Sequence, residues 1–302
     1  MPKMPPYGEF IFGHEYAGDV VAVGSSVDEF RVGDRVVVEA HMGCRRCENC
    51  IRGHYTACLN YGDPRRGHRA NGFTTNGGLA EYALNHINTL YRLPASVSYE
   101  EAVVVMTAGS PLYGLQLAGG YFAGQTVAVL GPGPIGLMAL QLVKALGAVR
   151  VILTGTRSAR LALGKTLGAD ICVDVSREDP VAAVRAATDG KGADTTIDCA
   201  GGDETFDQAI KMTKPAGRII LVAFYHGPVT ADVADAVRRN LTIYTERGEG
   251  GTTVGHALAL LAAGRIRAKE LVSHTFPLSR VHEGLEVLEK RAGDPMKIIF
   301  HP

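Results

Sequence analysis

The sequence predicts an α/β protein built on a doubly wound parallel sheet, with a β-rich first third and a mixed tail. Three observations carry that prediction. From about Thr107 onward, short apolar runs rich in β-branched residues alternate with helical stretches, the pattern of parallel βαβ units. The first of these runs, Thr126–Leu130, leads directly into Gly131-Pro132-Gly133-Pro134-Ile135-Gly136. Before Thr107 the alternation gives way to brief valine-rich runs punctuated by glycine turns.

Taken in order, strands are expected at 19–23, at Arg35–Val38 after the turn Val32-Gly33-Asp34, at 80–83 and at 89–93. A cysteine-rich lobe and a polar loop over 60–78 interrupt them. The alternating region then reads as strand Thr126–Leu130, helix 135–146 ended by Gly147, strand 150–153, helix 158–167, strand 170–173 and helix 180–188. Strand 195–198, helix 204–212 and strands 218–222 and 241–244 complete it. The tail reads as helices at 254–263 and 278–290 with a last strand at 297–300. There is no internal repeat and no low-complexity linker.

The chain has 302 residues, enough for two domains and a sizeable core. Lys+Arg and Asp+Glu are each 31, so no basic excess points to nucleic acid or to an anionic membrane surface. Gly, Pro or a charge interrupts every apolar run, so no stretch reaches membrane-span length, and residues 1–12 lack a signal-peptide apolar core. Six cysteines without such a signal suggest a reducing compartment, and a cytoplasmic location is expected. Cys172 and Cys199 lie in apolar strand-like runs and read as small buried hydrophobes.

The other four are Cys44, Cys47, Cys50 and Cys58. Two residues separate each of the first two pairs and seven the third, which lets four thiolates converge on one tetrahedral ion. Zn²⁺ suits four sulfurs best, and a closed shell of four leaves no position for a substrate, so this zinc would be structural. A pair of disulfides is the competing reading of the same residues.

Gly131-x-Gly133-x-x-Gly136 between a strand and a helix is the pattern of a dinucleotide-binding loop, the mark of the Rossmann fold. Its glycines permit a tight turn and close approach of backbone to a pyrophosphate, and the helix N-terminus supplies amide donors. A glycine turn that only packs helix on sheet is the alternative. The end of the second strand sorts the coenzyme, because an acid there bonds both ribose hydroxyls of NAD(H). Here Gly155 takes that place, followed by Thr156 and Arg157. A small residue leaves room for a 2′-phosphate and a guanidinium can bind it bidentately, so NADP(H) is expected in preference to NAD(H).

With these residues in hand, the chain resembles the zinc-containing medium-chain dehydrogenases, the alcohol, polyol and threonine dehydrogenase superfamily, over nearly its whole length. Gly13-His14-Glu15-Tyr16-Ala17-Gly18 is similar to the family's G-H-E-x-x-G signature, and Val32-Gly33-Asp34-Arg35-Val36 to the turn that follows it. The cysteine lobe and the glycine loop match its structural zinc site and coenzyme loop. The resemblance implies a GroES-like catalytic domain, 1–107 plus 247–302, with a Rossmann coenzyme domain, 108–246, inserted in it. It implies that Ile135, Gly155 and Arg160 contact the coenzyme, and that Val222 and Ala223 lie near the nicotinamide. It further implies that His14 and Glu15 serve a catalytic zinc, and that the protein forms a homodimer or homotetramer. The reaction implied is hydride transfer between a secondary alcohol or polyol, or the matching carbonyl compound, and NADP(H) or NAD(H).

Two departures stand against that pattern. The family's first catalytic-zinc ligand is a cysteine well before G-H-E, whereas this sequence begins thirteen residues before His14. Judged by the family layout it is short by about forty to fifty residues. The family's third ligand falls on Met106, and a thioether is a poor zinc ligand. A catalytically impaired remnant that still binds coenzyme and one zinc is therefore a rival reading. A zinc-independent quinone or enoyl reductase and a zinc-ribbon nucleic-acid binder are further rivals. The first is disfavoured by the cysteine lobe and G-H-E, the second by the neutral charge.

Overall fold

The computed structural model describes residues 10–302. The chain forms two compact units, one over residues 110–247 and the other over residues 10–109 together with 248–302.

In the interrupted unit, β1 (Tyr16–Asp19) pairs antiparallel with β2 (Arg35–Val38), Tyr16 opposite Val38. Next come β3 (His41–Gly43), the short helix α1 (Glu48–Ile51) and β4 (Arg69–Ala70), with β3 and β4 paired antiparallel. β5 (Leu90–Arg92) joins the free side of β2, giving the order β1-β2-β5. Val37 and Val38 are buried in this sheet. The strand expected at 19–23 lies instead at 16–19. After Asp19 the backbone turns to bond Val20 with Gly33 and Asp34, and Val21 and Val23 are left exposed. No strand forms at 80–83 either, where Tyr82 and Leu84 are exposed. In both places β-branched or aromatic residues promised a strand, but a strand needs a partner edge, and propensity does not supply one.

Helix α2 (Tyr99–Leu117) was not foreseen. Its apolar residues run all round it, with Ala102, Val104, Val105, Met106, Ala108, Leu112 and Leu115 all buried, so no amphipathic stripe marks it. A start signal was nonetheless present. Ser98 and Glu101 exchange bonds as a capping box, Glu101 N–H to Ser98 Oγ at 3.2 Å and Ser98 N–H to Glu101 Oε2 at 3.1 Å. The boundary between the units falls inside this helix, after Gly109.

The second unit alternates strictly: β6 (Thr126–Leu130), α3 (Pro134–Ala145), β7 (Arg150–Gly155), α4 (Ser158–Thr166), β8 (Ile171–Asp174), α5 (Pro180–Ala186), β9 (Ala193–Asp198), α6 (Thr205–Met212), β10 (Thr213–Leu221), α7 (Val233–Arg238) and β11 (Thr242–Thr245). All pairs are parallel and the order is β11-β10-β9-β6-β7-β8, the doubly wound arrangement. The order reverses between β6 and β9, which opens the crevice where such sheets bind ligands. Ala128, Leu130, Ile152, Val173 and Ile219 of the sheet cluster with Val184 of α5 and Ala209, Ile210 and Met212 of α6. Local starts are well made: Asp179 caps α5 by accepting from the Val181 and Ala182 amides, ahead of Pro180 at its first turn.

The chain then returns to the first unit through α8 (Thr253–Ala262), β12 (Val272–Pro277), α9 (Val281–Lys290) and β13 (Lys297–His301), with β12 and β13 parallel. β12 alternates half-buried and exposed residues, but polar Ser273, His274 and Thr275 fill its middle, so its pattern is weak in sequence. No helix among the described residues is long and apolar enough to cross a membrane. Cys172 and Cys199 are each only partly buried, less enclosed than their apolar neighbours suggested.

Candidate zinc and coenzyme sites

The cysteine lobe spans the chain between β3 and β4. Cys47 caps α1, its sulfur accepting from the Cys50 amide at 3.5 Å, so the helix turn itself brings the second and third cysteines together. All six cysteines are free thiols, which sets aside the disulfide reading. The four lobe sulfurs lie within 4.8 Å of one another, Cys44 to Cys50 at 3.9 Å and Cys47 to Cys58 at 4.0 Å. Tetrahedral zinc with sulfur at about 2.3 Å places neighbouring sulfurs about 3.8 Å apart, so the lobe fits the ion. The Cys47 amide, the Asn60 amide and the Asn60 side chain donate to the sulfurs of Cys44, Cys58 and Cys44 respectively. Burial raises the Cys44 thiol, but bonds from Arg46, Asn60 and Cys47 outweigh it and bring the pKa to about 6, whereas burial pushes Cys58 up to about 12. Four thiolates so placed need a divalent cation among them to ionise together.

A second cluster surrounds His14 and Glu15. Thr107 Oγ1 donates to Glu15 Oε1 at 3.0 Å, and Lys297 from β13 pairs with Oε2. Burial drives the Glu15 carboxyl upward, but the Lys297 ammonium, His14 and the Thr107 hydroxyl together bring it below its ordinary value. Burial holds His14 below the ordinary imidazole value, helped by Lys297 and His41 and opposed by Glu15 and Glu249. The Phe73 ring lies 4.3 Å from the His14 ring and 5.3 Å from that of His41. His41 Nδ1 in turn sits 2.7 Å from Glu249 Oε2, both side chains buried. Beside this pair, Glu39 accepts from the Tyr55 and Tyr91 hydroxyls. Burial, and then the nearby Glu249, raise the Glu39 carboxyl to about 7.

For a catalytic zinc, His14 fits as a ligand because burial keeps its imidazole neutral with a lone pair to give. Glu15 is already committed to Lys297 and Thr107, and Met106 is buried within α2. Among the described residues the four cysteines are the one group of three or more ligand-type side chains that converges as a metal site does.

In the second unit the glycine loop leaves β6 at the switch point. Gly131 has φ +94°, a conformation that suits glycine, and its amide bonds the Thr154 carbonyl at 2.9 Å. Gly133 stands at the N-cap of α3 and Pro134 at its first position, so the Ile135 and Gly136 amides lie in the first helical turn, where no intrahelical acceptor reaches them. Gly155 ends β7; Thr156 is exposed, and Arg157 and Arg160 are partly buried at the start of α4. Val222 and Ala223 follow β10, and both their amides bond the Asp198 carbonyl. The Asp198 side chain, fully buried, accepts from the Ala200 and Gly201 amides, from Thr205 and from Tyr225, and so shapes the ends of β9 and β10.

Sequence reasoning missed Lys297, Thr107, His41, Glu249, Glu39 and Asp198. None lies in a recognisable motif. Lys297 meets Glu15 across 282 positions and Glu249 meets His41 across 208.

A doubly wound unit inserted in the sequence of a β-rich unit that carries a four-cysteine lobe and the buried His41–Glu249 pair is the layout of a nicotinamide-linked dehydrogenase. Residues 1–95 match the model of the alcohol dehydrogenase GroES-like domain, and residues 134–263 that of the zinc-binding dehydrogenase domain. L-threonine 3-dehydrogenase of Pyrococcus horikoshii is 32% identical over 293 residues, 96% of this chain and 81% of that protein. D-arabitol-phosphate dehydrogenase of Enterococcus avium is 32% identical over 299 residues, 98% of this chain and 82% of its own length. Among solved structures, a zinc-binding dehydrogenase of Sinorhizobium meliloti 1021 bound to NADP superposes with TM-score 0.89 at 29% identity, covering 100% of this chain and 85% of that one. The chain belongs to the zinc-containing medium-chain dehydrogenase family, and is an oxidoreductase of the zinc-dependent alcohol dehydrogenase type.

Two outcomes follow from this geometry. Cys44→Ser removes one of four converging sulfurs, so elemental analysis of chelator-free protein should find less lobe zinc per chain than in wild type, with lower thermal stability. Lys297→Met strands the Glu15 carboxylate, at a cost of about 1–3 kcal/mol near neutral pH by denaturant unfolding. Glu15 has a lowered folded value, so its favourable contribution exists above the ordinary carboxylate range and is lost as pH falls. The gap between wild type and variant should therefore narrow below about pH 4.

Proposed function

We propose that this enzyme transfers hydride between a secondary alcohol or polyol-type substrate and NADP(H). The observation that carries the coenzyme half is the end of β7, where Gly155 offers no carboxylate to a ribose and the partly buried Arg157 follows two residues later. A planar guanidinium there suits a 2′-phosphate. The relatives named above act on threonine, at its C3 hydroxyl, and on arabitol phosphate; both substrates carry secondary alcohols. The solved relative bound to NADP supports the same coenzyme.

In this reading the amides of Gly133, Ile135 and Gly136 hold the pyrophosphate at the N-terminus of α3. Gly155, Thr156, Arg157 and Arg160 receive the adenosine ribose, and Val222 and Ala223 flank the nicotinamide. His14 stands at the reacting oxygen of the substrate. A zinc bound there would act as a Lewis acid, lowering the alcohol's pKa or polarising the carbonyl. Lys297 and Thr107 keep Glu15 ionised beside His14, which fixes the local field. Oxidation moves a hydride from the carbinol carbon to the nicotinamide while the hydroxyl proton passes to solvent water; reduction reverses both. The enzyme acts in the cytoplasm, as a dimer or tetramer.

A second reading has a specific basis. Glu15 is engaged by Lys297 and Thr107 while Met106 supplies only a thioether, the arrangement of a chain that binds coenzyme and lobe zinc without turnover.

His14→Ala should abolish oxidation of secondary alcohols with NADP⁺ and leave NADPH affinity unchanged by fluorescence titration. Turnover equal to wild type would remove His14 from the mechanism, and no turnover in wild type would favour the second reading. Arg157→Ala should weaken NADPH about tenfold, a loss of roughly 1.4 kcal/mol, with little change for NADH. Equal losses for both coenzymes would refute the phosphate contact.

A further inference from the structure

Beside the bond from the Gly131 amide to Thr154, the glycine loop meets the end of β7 where Pro132 packs on Gly155. A Cβ added to Gly155 would lie 2.3 Å from Pro132 Cδ and 2.5 Å from Cγ, well inside any real carbon–carbon contact. The ring cannot swing aside, because it closes on its own backbone nitrogen. Pro132 is buried, and the backbone on either side of the contact is held. The Gly131 amide bonds Thr154 O at 2.9 Å, and a Cβ at Gly136 would fall 1.9 Å from Gly131 O, so helix and loop are already in close contact behind the turn. From the other side Gly155 O accepts from the Val175 amide at 2.9 Å, and Gly155 is in register with Asp174 of β8. Neither backbone can retreat without breaking the sheet or the loop.

We propose that Pro132 sets coenzyme choice by acting through position 155: its ring keeps that position free of any side chain, so the adenosine ribose meets no carboxylate from β7. Recognition of the ribose then falls to Thr156 and Arg157. This rests on the coenzyme reading above. Pro132 is a positioning residue here, and it makes the usual route to NAD(H), an acid at the strand end, sterically closed in this loop. Removing the ring reopens it. After Cδ and Cγ, the next nearest atom to the added Cβ is the backbone nitrogen of residue 132 at 3.6 Å, an ordinary contact.

The test is a double-mutant cycle on the full chain with Gly155→Asp, Pro132→Ala and the pair, read by equilibrium fluorescence titration of NADPH and NADH and by thermal unfolding. Gly155→Asp alone should lower Tm and weaken both coenzymes about tenfold or more, because the loop must distort to admit the side chain. In the Pro132→Ala background the same aspartate should recover NADH binding. It should also move the NADPH/NADH ratio of Kd about tenfold toward NADH, as a carboxylate accepts from the ribose hydroxyls and repels a 2′-phosphate. A purely architectural role for the proline would change Tm without moving that ratio. Two results overturn the proposal. One is Gly155→Asp alone binding NADH as tightly as wild type at unchanged Tm. The other is a double variant no better than Gly155→Asp, whether through misfolding or lost binding. A wild-type preference for NADH would refute the NADP(H) reading while leaving the steric coupling legible in the NADH affinities alone.

Discussion

A carboxylate taken out of water must find a cation or hydrogen-bond donors, and the interrupted unit is organised around meeting that demand for Glu15. Its two partners come from far apart in the chain, Thr107 from α2 and Lys297 from the last strand. The pair joins residue 15 to residue 297 within one unit, on either side of the inserted coenzyme unit. Because breaking this part-buried pair would leave Glu15 without its cation, the tail and the G-H-E segment are bound to each other energetically as well as topologically. The buried contact of His41 with Glu249 likewise joins chain that precedes the insertion to chain that follows it.

The same unit handles its remaining buried acid differently. Glu39 has no ion-pair partner of its own and instead receives two tyrosine hydroxyls, from Tyr55 within the cysteine lobe and Tyr91 on β5. With its carboxyl raised to about 7, it is part-protonated near neutral pH. Tyr55 stands between Cys50 and Cys58, so the hydrogen bonds of Glu39 tie the lobe to the sheet. Metal geometry and sheet geometry are thereby coupled through one acid, and His14 lies beside the same group of side chains across Phe73.

The coenzyme unit depends on close backbone approach more than on charge. The turn at Gly131 and the contact between Pro132 and Gly155 decide where atoms can be, and the amides at the start of α3 then face the crevice without need of a charged side chain. Asp198 completes the crevice by gathering amides and hydroxyls onto one fully buried carboxylate.

What the sequence determined by itself was whatever short-range chemistry encodes. The spacing of Cys44, Cys47, Cys50 and Cys58 is nearly sufficient for convergence, because one helical turn covers the middle pair. The glycine loop and the βα alternation from Thr126 onward are local patterns of period and turn. The expected strands at 19–23 and 80–83 failed because a strand exists only against a partner edge, and α2 escaped because burial on all sides erases helical periodicity. Only the tertiary structure decided which groups meet His14 and Glu15. Lys297, Thr107, His41 and Glu249 are ordinary residues in sequence, and their roles arise from contacts spanning 92 to 282 positions. The identity of Gly155 was legible as a missing acid, but its cause was not. That required seeing Pro132 occupy the space, since a steric exclusion between two loops leaves no mark on either one alone.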